Sequence, residues 1–576
     1  MKAKAIKIQT EKKENSARLI SERVTAAQNG AVITLEPQEY HLYGNDSPRA
    51  KYYITGCDSE IGDELSGITY LNKNLAIYVK GKHDITIDGR GALLLVHGEM
   101  TPFVIDNCRN VTIKNIAVDY VRATVSEMKV TEATEKYFVA RVNTDSPFSI
   151  QDERILWEGD SFSELADTVQ ILDADAARCH PFPYNFEDFR AENLGNNLVK
   201  FFYPLTVKST FQFAKKVPKL LKPGHILQVK HDLRTQAGAF ITDSENVVFD
   251  NVQMHFMHGT GIAAQRVKNL KVQGCTFAPR PKTGRTNAAF GGFIDVNGAS
   301  GTTTISDCSF NGCFDDAVKV HGTYLKLAAV ISENILVLSF MGERTLGFAP
   351  FWRYDRIAFI SPYTMAQTAA GVVEEVRLLN SRLVEIVLFD KLPKGVRRGA
   401  YVQNITAEPE TLVQRCSFNN VGGNCVVANS SKKTFITQNE FTKCGGSGVL
   451  IAGGMGNPYE SGAVQDVLIQ KNKFTECGKA AVCVQPNPRY VLAVVHGGIT
   501  IADNTFALNN EPAISVSNSS GVTVNNNLIT GTLGDAPYAK FFSSKSVKVL
   551  DNKVKIEGAS TVKKFMSAKQ LTVKGS

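Results

Sequence analysis

Apolar residues recur along most of the chain in an eight-residue pattern, at positions one, three and eight, usually with Asn or Cys at position six. The copies are followed by a second short apolar stretch, such as GFIDVNG, AVKVHG or GVLIAG. Alternation with a period of two predicts short β-strands with one apolar face. The copies begin at Val111, Val247, Leu270, Thr303, Thr411, Thr434, Val467, Ile499, Val522 and Val547, with a weaker copy at Ile85.

Uninterrupted copies lie close together: 23 residues separate Val247 from Leu270, and 33 separate Leu270 from Thr303. Short strands, Gly and Asn at the turns, and a repeat of this length are typical of a solenoid. The predicted fold class is therefore all-β, a right-handed parallel β-helix in which each coil packs on the coils before and after it. Equivalent side chains are expected to stack into ladders.

Position six of the pattern holds a column of cysteines and asparagines. Buried asparagines can bond to turn backbone and to one another, and buried thiols behave as small hydrophobes. The eleven cysteines are odd in number and form no CxxC pair, so we expect internal free thiols and not metal ligands. The column consists of Cys275, Cys308, Cys416, Asn439, Asn472, Asn504, Asn527 and Asn552.

Two long gaps interrupt the repeat, 136 residues from Val111 to Val247 and 108 residues from Thr303 to Thr411. Both contain strand-like stretches of another kind, such as KYFVARV and LVEIVLF. They predict two inserted antiparallel modules resembling β-barrels. The expected organisation is a cap and first coils over 1–118, a first module over 119–236, coils carrying the candidate acids over 237–322, a second module over 323–408 and C-terminal coils over 409–576.

Composition narrows the function classes. The chain has 576 residues, is 43% hydrophobic and 21% charged, and carries a net charge of +8 from scattered basic residues, which argues against nucleic acid as a partner. No apolar run approaches the ~20 residues that cross a bilayer, so no membrane span is expected. The first residues lack the apolar centre of a signal peptide. We nevertheless expect a periplasmic or secreted protein whose signal was removed, with the cytoplasm as the alternative.

Three carboxylates are predicted to converge on one outer face of the helix. If Val318 and Val320 point inward, Lys319 and His321 point outward, and alignment of consecutive coils stacks them over Asp295 and Asn297. Gln265 and Asn429 continue this outward column. The remaining acids, Asp315 and Asp316, sit at the bend before their strand, and the second module begins directly after it. Asp is common at turns, but a third acid one coil away favours an active site.

Glycoside hydrolysis suits three carboxylates without a metal motif. One acid protonates the leaving oxygen and another activates water or attacks carbon. Clustered like charges raise the pKa of one member, which keeps that member protonated. Adjacent β-helix strands lie ~4.8 Å apart, so acids on neighbouring coils can flank a glycosidic bond.

These residues also carry a family resemblance. An Asp followed about twenty residues later by Asp-Asp resembles the polygalacturonase-type β-helix hydrolases, although their Gly-His-Gly and Arg-x-Lys elements are absent. The chain is more similar to glycoside hydrolase family 110, inverting exo-α-1,3-galactosidases without a cofactor, from about Ile85 through Ser576. The similarity lies mainly in PFVIDNCRNVTIKNIAVDYVRATVSE, APRPKTGRT before GGFID, and DDAVKVHGTY, and in a β-helix interrupted by two β modules.

The family resemblance implies catalytic roles for Asp295, Asp315 and Asp316. We assign Asp295 as proton donor and the doublet to the water, and the reverse allocation stays open. Asp295 is followed by VNG, where the family would have a more polar stretch with His, so the accepted linkage or leaving sugar is open. A terminal α-galactose on an oligosaccharide or glycan is the expected partner, and the oligomeric state is open, with a homodimer as one option. Candidate substrate-binding residues are Arg280, Arg285, Trp352, Lys319, His321, Asn297, Gln265 and Asn429.

Two other functions remain open at this point. The first is a β-helix polysaccharide lyase or an endo-hydrolase of an acidic polysaccharide. The lyase would use Ca²⁺ and a basic residue, for which Lys319 or Arg285 is available. A non-catalytic carbohydrate-binding β-helix would have little reason to gather acids beside an inserted module.

Overall fold

The structure is a computed structural model that describes residues 5–8, 16–45, 47–61, 68–160, 162–166, 168–173, 178–204, 220–231, 233–534, 536–557, 562–565 and 569–574. One α-helix, Ser16–Ala26, packs its buried residues Ile20 and Val24 against the first coils. A 3₁₀ turn spans Phe186–Asp188, and a short ladder pairs Glu60–Ile61 with Ile68–Thr69. No helix in the described part of the chain is long and apolar enough to cross a membrane.

The solenoid consists of two ladders of strands, here called sheet 1 and sheet 2. Sheet 1 contains the eight-residue repeats, and its described strands pair in parallel from coil to coil. Its strands are Ala5–Ile8, Val32–Leu35, Glu39–Tyr43, His83–His97, Arg109–Tyr120, Glu245–Met254, Lys268–Gln273, Thr276–Phe277, Ser300–Ser306, Ser309–Cys313, Glu410–Gln414, Ser417–Val421, Thr434–Thr437, Glu440–Thr442, Val467–Gln470, Lys473–Thr475, His496–Ala502, Thr505–Asn509, Ser519–Asn525, Leu528–Thr532, Lys545–Leu550, Lys553–Glu557 and Lys569–Lys574.

Sheet 2 contains the second strand of each coil and carries the candidate acids. Except for the first pair, Arg49–Lys51 with Asn72–Lys80, and for Glu460–Ser461, its strands also run parallel from coil to coil. The strands are Arg49–Lys51, Asn72–Lys80, Thr101–Asp106, Ala237–Thr242, Thr260–Gln265, Ile294–Asn297, Val318–Thr323, Val426–Ala428, Val449–Ile451, Glu460–Ser461, Val482–Val484, Ile514–Ser517, Ala539–Phe542 and Val562–Phe565.

The predicted β-helix and its register are confirmed. Val111 pairs with Val247, Val467 pairs with Ile499, and the first positions of the other copies pair in the same way across both gaps. The apolar residues fill one continuous core, in which Phe418, Phe441 and Phe474 stack face to face with centroids about 5 Å apart. Stacked rings both remove apolar surface from water and fix the register of neighbouring coils.

One of the two inserted modules is a closed β-barrel, and the other is an open β-sheet. Six antiparallel strands of the second module, here called the barrel module, form a closed barrel: Leu325–Val330, Ile335–Ser339, Arg356–Ile360, Gln367–Leu378, Leu383–Leu388 and Tyr401–Asn404. The first module has a seven-stranded antiparallel sheet: Val125–Ala133, Tyr137–Val142, Thr168–Asp173, Arg178–Pro181, Arg190–Gly195, Leu198–Phe202 and Ile226–Lys230. A three-stranded sheet accompanies it: Phe148–Gln151, Arg154–Glu158 and Ser163–Glu164. Because its two edge strands do not pair with each other among the described residues, the first module is an open sheet rather than the expected barrel.

The position-six column lies in the interior, as predicted. The side chains of Asn439, Asn472, Asn504 and Asn527 are each bonded to the next asparagine and to a backbone carbonyl of the preceding coil. All described cysteines of the column are free and buried. The ladder therefore supplies hydrogen-bond partners for the backbone of the turns.

Removing one member of this ladder is expected to destabilise the solenoid. In Asn472→Ala, the backbone N–H and side-chain amide of Asn439 lose their acceptor and the carbonyl of Ile436 loses a donor. We expect the free energy of unfolding to fall by about 2 kcal/mol, since buried polar groups become unsatisfied. Urea denaturation followed by far-UV circular dichroism measures this. Asn509→Ala, at an exposed strand end, is the control, and an equal loss in both variants would contradict the role of the ladder.

Candidate active site

The register of two neighbouring strands brings the first group of candidate residues together. Ile294–Asn297 pairs in parallel with Val318–Thr323, so that Asp295 lies beside Lys319 and Asn297 beside His321, as predicted. The apolar residues between them face the core and are fully buried. Alternation along the strands therefore turns Asp295, Lys319 and His321 to the outer face of sheet 2.

The Asp315–Asp316 doublet lies in the bend between Ser309–Cys313 and Val318–Thr323. The next coil approaches this bend closely through Gly423, whose N–H donates to the carbonyl oxygen of Asp315 at 3.3 Å. A Cβ atom at Gly423 would stand 2.7 Å from Oδ1 of Asp316. Glycine at this position thus permits the contact that fixes the doublet.

All three carboxylates line a pair of cavities that share Arg234, Asp295, Asp315 and Lys319. The larger cavity has a volume of about 510 Å³, within the range of small-molecule sites. The smaller one, about 140 Å³, is lined by Asp295, Asp315 and Asp316 together. The walls of the larger cavity come from three separate parts of the chain, Gly56 and Asp58, Gly342–Thr345, and Asn457–Glu460.

Asp295 is held as a carboxylate. Its Oδ1 lies 2.9 Å from Nε2 of His321, and its Oδ2 lies 3.7 Å from Nζ of Lys319. Burial acts to raise the pKa of Asp295, but the charge of Lys319 and the hydrogen bond with His321 outweigh burial and hold that pKa well below its usual range. The same cluster raises the pKa of His321 despite its burial, mainly through the charges of Glu460 and Asp295.

Asp315 is also held as a carboxylate, by a different cation. Its Oδ2 is bonded to the guanidinium of Arg234, which is itself 8% exposed, while the Asp315 side chain is 45% exposed. Burial opposes ionisation here as well, yet the charges of Arg234 and Lys230 lower the pKa of Asp315 to about 2. This carboxylate opens towards both cavities.

Asp316 differs from the other two acids because its pKa is raised. Its Oδ1 accepts hydrogen bonds from the backbone and side-chain amides of Asn424, both at 2.8 Å. Burial is the main cause of the raised pKa, and the negative charge of Asp315 adds to it, while Lys319 and Asn424 act in the opposite direction. The site therefore holds two carboxyl groups whose pKa is lowered and one whose pKa is raised.

The side chains on either side of this patch are buried and do not line the cavities. Gln265 accepts a hydrogen bond from the backbone N–H of Thr55, and Asn297 donates to the hydroxyl of Thr55. Asn429 is 1% exposed and accepts from the N–H of Ala452. The patch was expected to face solvent. Instead, the segment around Thr55 covers part of it, and this cover makes the site concave.

The two rim arginines pair with a buried acid of the solenoid, and one of them also reaches the first module. Arg280 and Arg285 both pair with the fully buried Asp119, at 2.7 and 3.0 Å, and Arg285 also pairs with Asp145. Their guanidinium groups are occupied by these carboxylates and are absent from the walls of the acid cavities. The expectation that they bind substrate is not supported by their position.

Trp352 also lies outside the acid cavities. It projects from the barrel module beside Asp355 and lines a different groove. The position of Trp352 follows from how the barrel module packs on the solenoid. One loop of that module, Gly342–Thr345, lines the larger acid cavity, whereas the turn that carries Trp352 does not. The other tryptophan, Trp157, is fully buried in the first module.

Several charged residues of the larger cavity could not be recognised as site residues from the sequence. Arg234 follows the last strand of the first module, and Glu460 begins the two-residue strand that pairs antiparallel with Val318–Thr323. Glu460 accepts from Nζ of Lys319 at 2.8 Å and so balances Asp295 on the other side of that cation. Asp58 receives the backbone N–H of Arg234 at 2.9 Å and pairs with Arg344 at 2.6 Å.

Among the residues that the structure describes, no group of three His, Cys, Asp or Glu side chains is arranged to hold a metal ion. Lys319 stands between Asp295 and Glu460, in the place where a cation would otherwise balance them. The arrangement can supply a proton from one carboxyl group and accept a proton on another.

Two family models match the chain. Residues 399–555 match the model of a right-handed β-helix region, and residues 335–402 match the model named GLAA-B beta-barrel domain II. Among solved structures, a family 28 exopolygalacturonase from Yersinia enterocolitica aligns with 100% of this chain and 79% of its own, with a TM-score of 0.45 and 9% identity.

Relatives with established names extend over nearly the whole chain. Alpha-1,3-galactosidase A of Bacteroides thetaiotaomicron is 28% identical over 94% of this chain and 94% of its own length. Alpha-1,3-galactosidase A of Bacteroides fragilis is also 28% identical, over 91% of this chain and 86% of its own. Alpha-1,3-galactosidase B of Bacteroides thetaiotaomicron is 27% identical over 84% of this chain and 80% of its own. The predicted resemblance and the predicted class of enzyme are thus confirmed: the chain is a glycosidase related to the α-1,3-galactosidases.

Proposed function

We propose that this glycosidase releases terminal α-1,3-linked galactose from oligosaccharides or glycans, with inversion at the anomeric carbon. The observation that carries the proposal is the set of three carboxylates on one pair of cavities, two of them ionised and one with a raised pKa. A two-carboxylate mechanism needs this difference in protonation. The names of the relatives supply the sugar and the linkage.

The electrostatics support Asp316 as the general acid in place of Asp295, whereas Asp315 keeps the role at the water that the sequence suggests. A general acid must carry its proton when substrate binds, and Asp316 is the only one of the three acids whose surroundings favour the protonated form. Asp295 and Asp315 are each stabilised as anions by a cation. They are suited to hold a water molecule and accept its proton.

The course of the reaction follows from these roles. Asp316 transfers its proton to the glycosidic oxygen as the bond to the anomeric carbon breaks. A water molecule held by Asp295 and Asp315 attacks the opposite face of the sugar and gives its proton to one of these carboxylates. The smaller cavity, at about 140 Å³, has room for water beside the three acids, since one water occupies ~30 Å³.

The shape of the larger cavity supports action at chain ends. Segments from the N-terminal coils, the barrel module and the later coils surround it, and the ion pair of Arg344 with Asp58 joins two of these walls. A pocket walled on three sides accepts a terminal sugar more readily than the middle of a polysaccharide chain. Lys319, His321 and Arg234 present the polar groups nearest to the acids.

A linkage panel tests the proposal. Purified enzyme is incubated with galactosyl disaccharides of α-1,3, α-1,4 and α-1,6 linkage, and free galactose is quantified over time. We expect release from the α-1,3 member alone, with galactose as the sole new monosaccharide from longer chains. Release from none of them, or unsaturated products that absorb in the ultraviolet, would contradict the proposal. The latter result would indicate a lyase.

The pH dependence of kcat/KM is expected to be asymmetric. Asp316 must be protonated, and because its pKa is raised from 3.8, activity falls only when the pH rises through that higher value. Asp315, with its pKa lowered to about 2, and Asp295 stay ionised throughout the working range, so the acid side remains flat down to the lowest pH at which the protein is folded. A pH profile on an unactivated α-1,3-galactoside measures both sides.

Asn424→Ala sharpens this test. The variant removes a side-chain donor that favours the ionised form of Asp316, so the alkaline limb of kcat/KM should move to higher pH. The acid side should be unchanged, because Asn424 contacts neither Asp295 nor Arg234. A shift of the acid side alone would argue against Asp316 as the group that titrates in the alkaline limb.

A further inference from the structure

The groove that Trp352 lines is a cavity separate from the two acid cavities. It runs along the outside of the solenoid, at the turns between sheet 2 and sheet 1. Its volume is about 540 Å³, and none of its lining residues lines the acid cavities. One wall is a column of successive coils, His83, Arg109, Glu245, Lys268 and Ser300, which are register partners in sheet 1. Four steps of ~4.8 Å make this groove ~19 Å long. An extended chain molecule would fit such a groove better than a single small ligand.

The barrel module forms the opposite wall, with Trp352 as its main apolar surface. The backbone N–H of Trp352 donates to Oδ2 of Asp355 at 2.8 Å, which fixes the turn that presents the ring. The guanidinium of Arg266 lies 4.3 Å from the centre of the indole ring and is itself almost buried. Arg266 does not line the groove, so this cation–π contact supports the ring from the protein side.

The remaining surface of the indole is open to the groove. Trp352 is 39% exposed, whereas the other tryptophan of the chain, Trp157, is fully buried. A rigid indole with one supported face is a stacking surface for the apolar face of a sugar ring, because it is apolar and loses little conformational freedom on binding. The exposed indole of Trp352 therefore favours a sugar ring as the ligand of the groove.

The groove is lined by equal numbers of basic and acidic side chains, Lys82, Arg109 and Lys268 against Asp243, Glu245 and Asp355, and several of them have partners within the protein. Lys268 pairs with Glu245 at 2.9 Å, and Nζ of Lys82 donates to the carbonyl oxygens of Thr25 and Ala27 at 2.9 and 2.7 Å. Asp355 is committed to the amides of Trp352 and Asn404. A strongly charged ligand would have to break these pairs, whereas a neutral ligand with many hydroxyl groups would not.

We propose that this groove is a second, non-catalytic binding site for a neutral oligosaccharide chain, with a sugar ring stacked on Trp352. The class of ligand rests on the proposed function, since an enzyme that trims glycan ends meets the neutral stem of the same glycans. Binding of the stem at the groove raises the local concentration of chain ends at the acid cavity when many chains are carried on one particle.

Tryptophan fluorescence tests binding directly. Wild-type enzyme is titrated with a β-linked lactosamine tetrasaccharide, which has no α-galactose for the acid cavity to cleave. We expect a saturable change of emission, absent in Trp352→Phe, with half-saturation near ~1 mM, as is common for weak single sites. Tyr363→Ala, which removes a still more exposed aromatic side chain of the barrel module from another cleft, should keep the change.

Three outcomes of the titration would overturn the site. The first is an unchanged emission at ~10 mM tetrasaccharide, where a site of this affinity would be filled. The second is a change that persists in Trp352→Phe. The third is a response to dextran sulfate alone, which would assign the groove to polyanions through its basic residues.

Kinetics give a second readout on the intact enzyme. On a multivalent glycoprotein carrying α-1,3-galactose, Trp352→Ala should raise KM by ~10-fold and leave kcat unchanged, because only the tether is lost. On a free disaccharide, kcat/KM should stay within ~2-fold of the wild type, since the acid cavity is untouched. Equal effects on both substrates would contradict a separate site. If wild-type enzyme cleaves neither substrate, the proposed function fails, and the fluorescence titration still decides the groove.

Discussion

Asp316→Asn is expected to lower kcat on an unactivated α-1,3-galactoside by ~10³-fold, within the usual contribution of a general acid. On a dinitrophenyl α-galactoside, whose leaving group departs without protonation, the loss should be below ~10-fold. The amide oxygen of asparagine can still accept the two hydrogen bonds from Asn424, so the fold and the cavity should be preserved. Steady-state kinetics on the two substrates measure the difference.

Asp295→Asn and Asp315→Asn are the matched controls for this prediction. Both carboxylates are assigned to the attacking water, which is needed whatever the leaving group, so each variant should lose activity on both substrates to a similar extent. Recovery on the dinitrophenyl substrate in Asp295→Asn, and not in Asp316→Asn, would restore Asp295 as the proton donor. Recovery in Asp315→Asn would assign that role to Asp315.

Lys319→Met is expected to reduce the free energy of unfolding by about 3 kcal/mol, because it leaves two neighbouring carboxylates without their shared cation. Nζ of Lys319 lies between Glu460 and Asp295, whose side chains are 12% and 8% exposed. Without it, the pKa of Asp295 rises, and the acid side of the kcat/KM profile should move to higher pH. Urea denaturation and a pH profile provide the two measurements.

The sign of the pH effect on stability distinguishes this mechanism from a loss of packing. The lowered pKa of Asp295 stabilises the folded state above the unfolded value of 3.8, and this contribution disappears as the pH falls through the folded value. The deficit of Lys319→Met should therefore shrink on acidification. Arg415→Met removes an exposed pair with Asp307, also between neighbouring coils, and should cost less than about 1 kcal/mol. A deficit in Lys319→Met that does not vary with pH would contradict the electrostatic account.

The solenoid could be predicted in detail because its information is local and repeated. Each copy of the pattern indicates which side chains point inward. Equivalent positions of neighbouring copies are then expected to pair, as Thr411 does with Thr434. The same register predicted that Asp295 and Lys319 would be neighbours. Insertions do not disturb this inference, since Thr303 still pairs with Thr411 across the barrel module.

The walls of the site could not be predicted in this way. Arg234 reaches Asp315 across 81 residues of sequence, and Glu460 reaches Lys319 across 141, from segments that have no repeat of their own. How a module sits on the solenoid depends on side-chain packing between the two, and that decided the position of Trp352. It also decided that Arg285 contacts Asp145 of the first module in addition to Asp119 of the solenoid.

The protonation pattern required the three-dimensional surroundings as well. In sequence, Asp315 and Asp316 are adjacent and equivalent, and only their partners separate them: a guanidinium for one, two amides for the other. Two neighbouring acids with different partners can divide the roles of base and acid. The family resemblance implied catalytic roles for the three acids but not this division.

Following the anomer of the first galactose released is the most direct test of whether one protonated and two ionised carboxylates act on opposite sides of the sugar. Wild-type enzyme is mixed with an α-1,3-linked galactosyl disaccharide, and proton NMR spectra are recorded before mutarotation proceeds. We expect β-galactose to appear first and the α-anomer to grow in later. Initial release of α-galactose would mean that one of the acids attacks carbon, and the assignment of Asp295 and Asp315 to a water molecule would then be wrong.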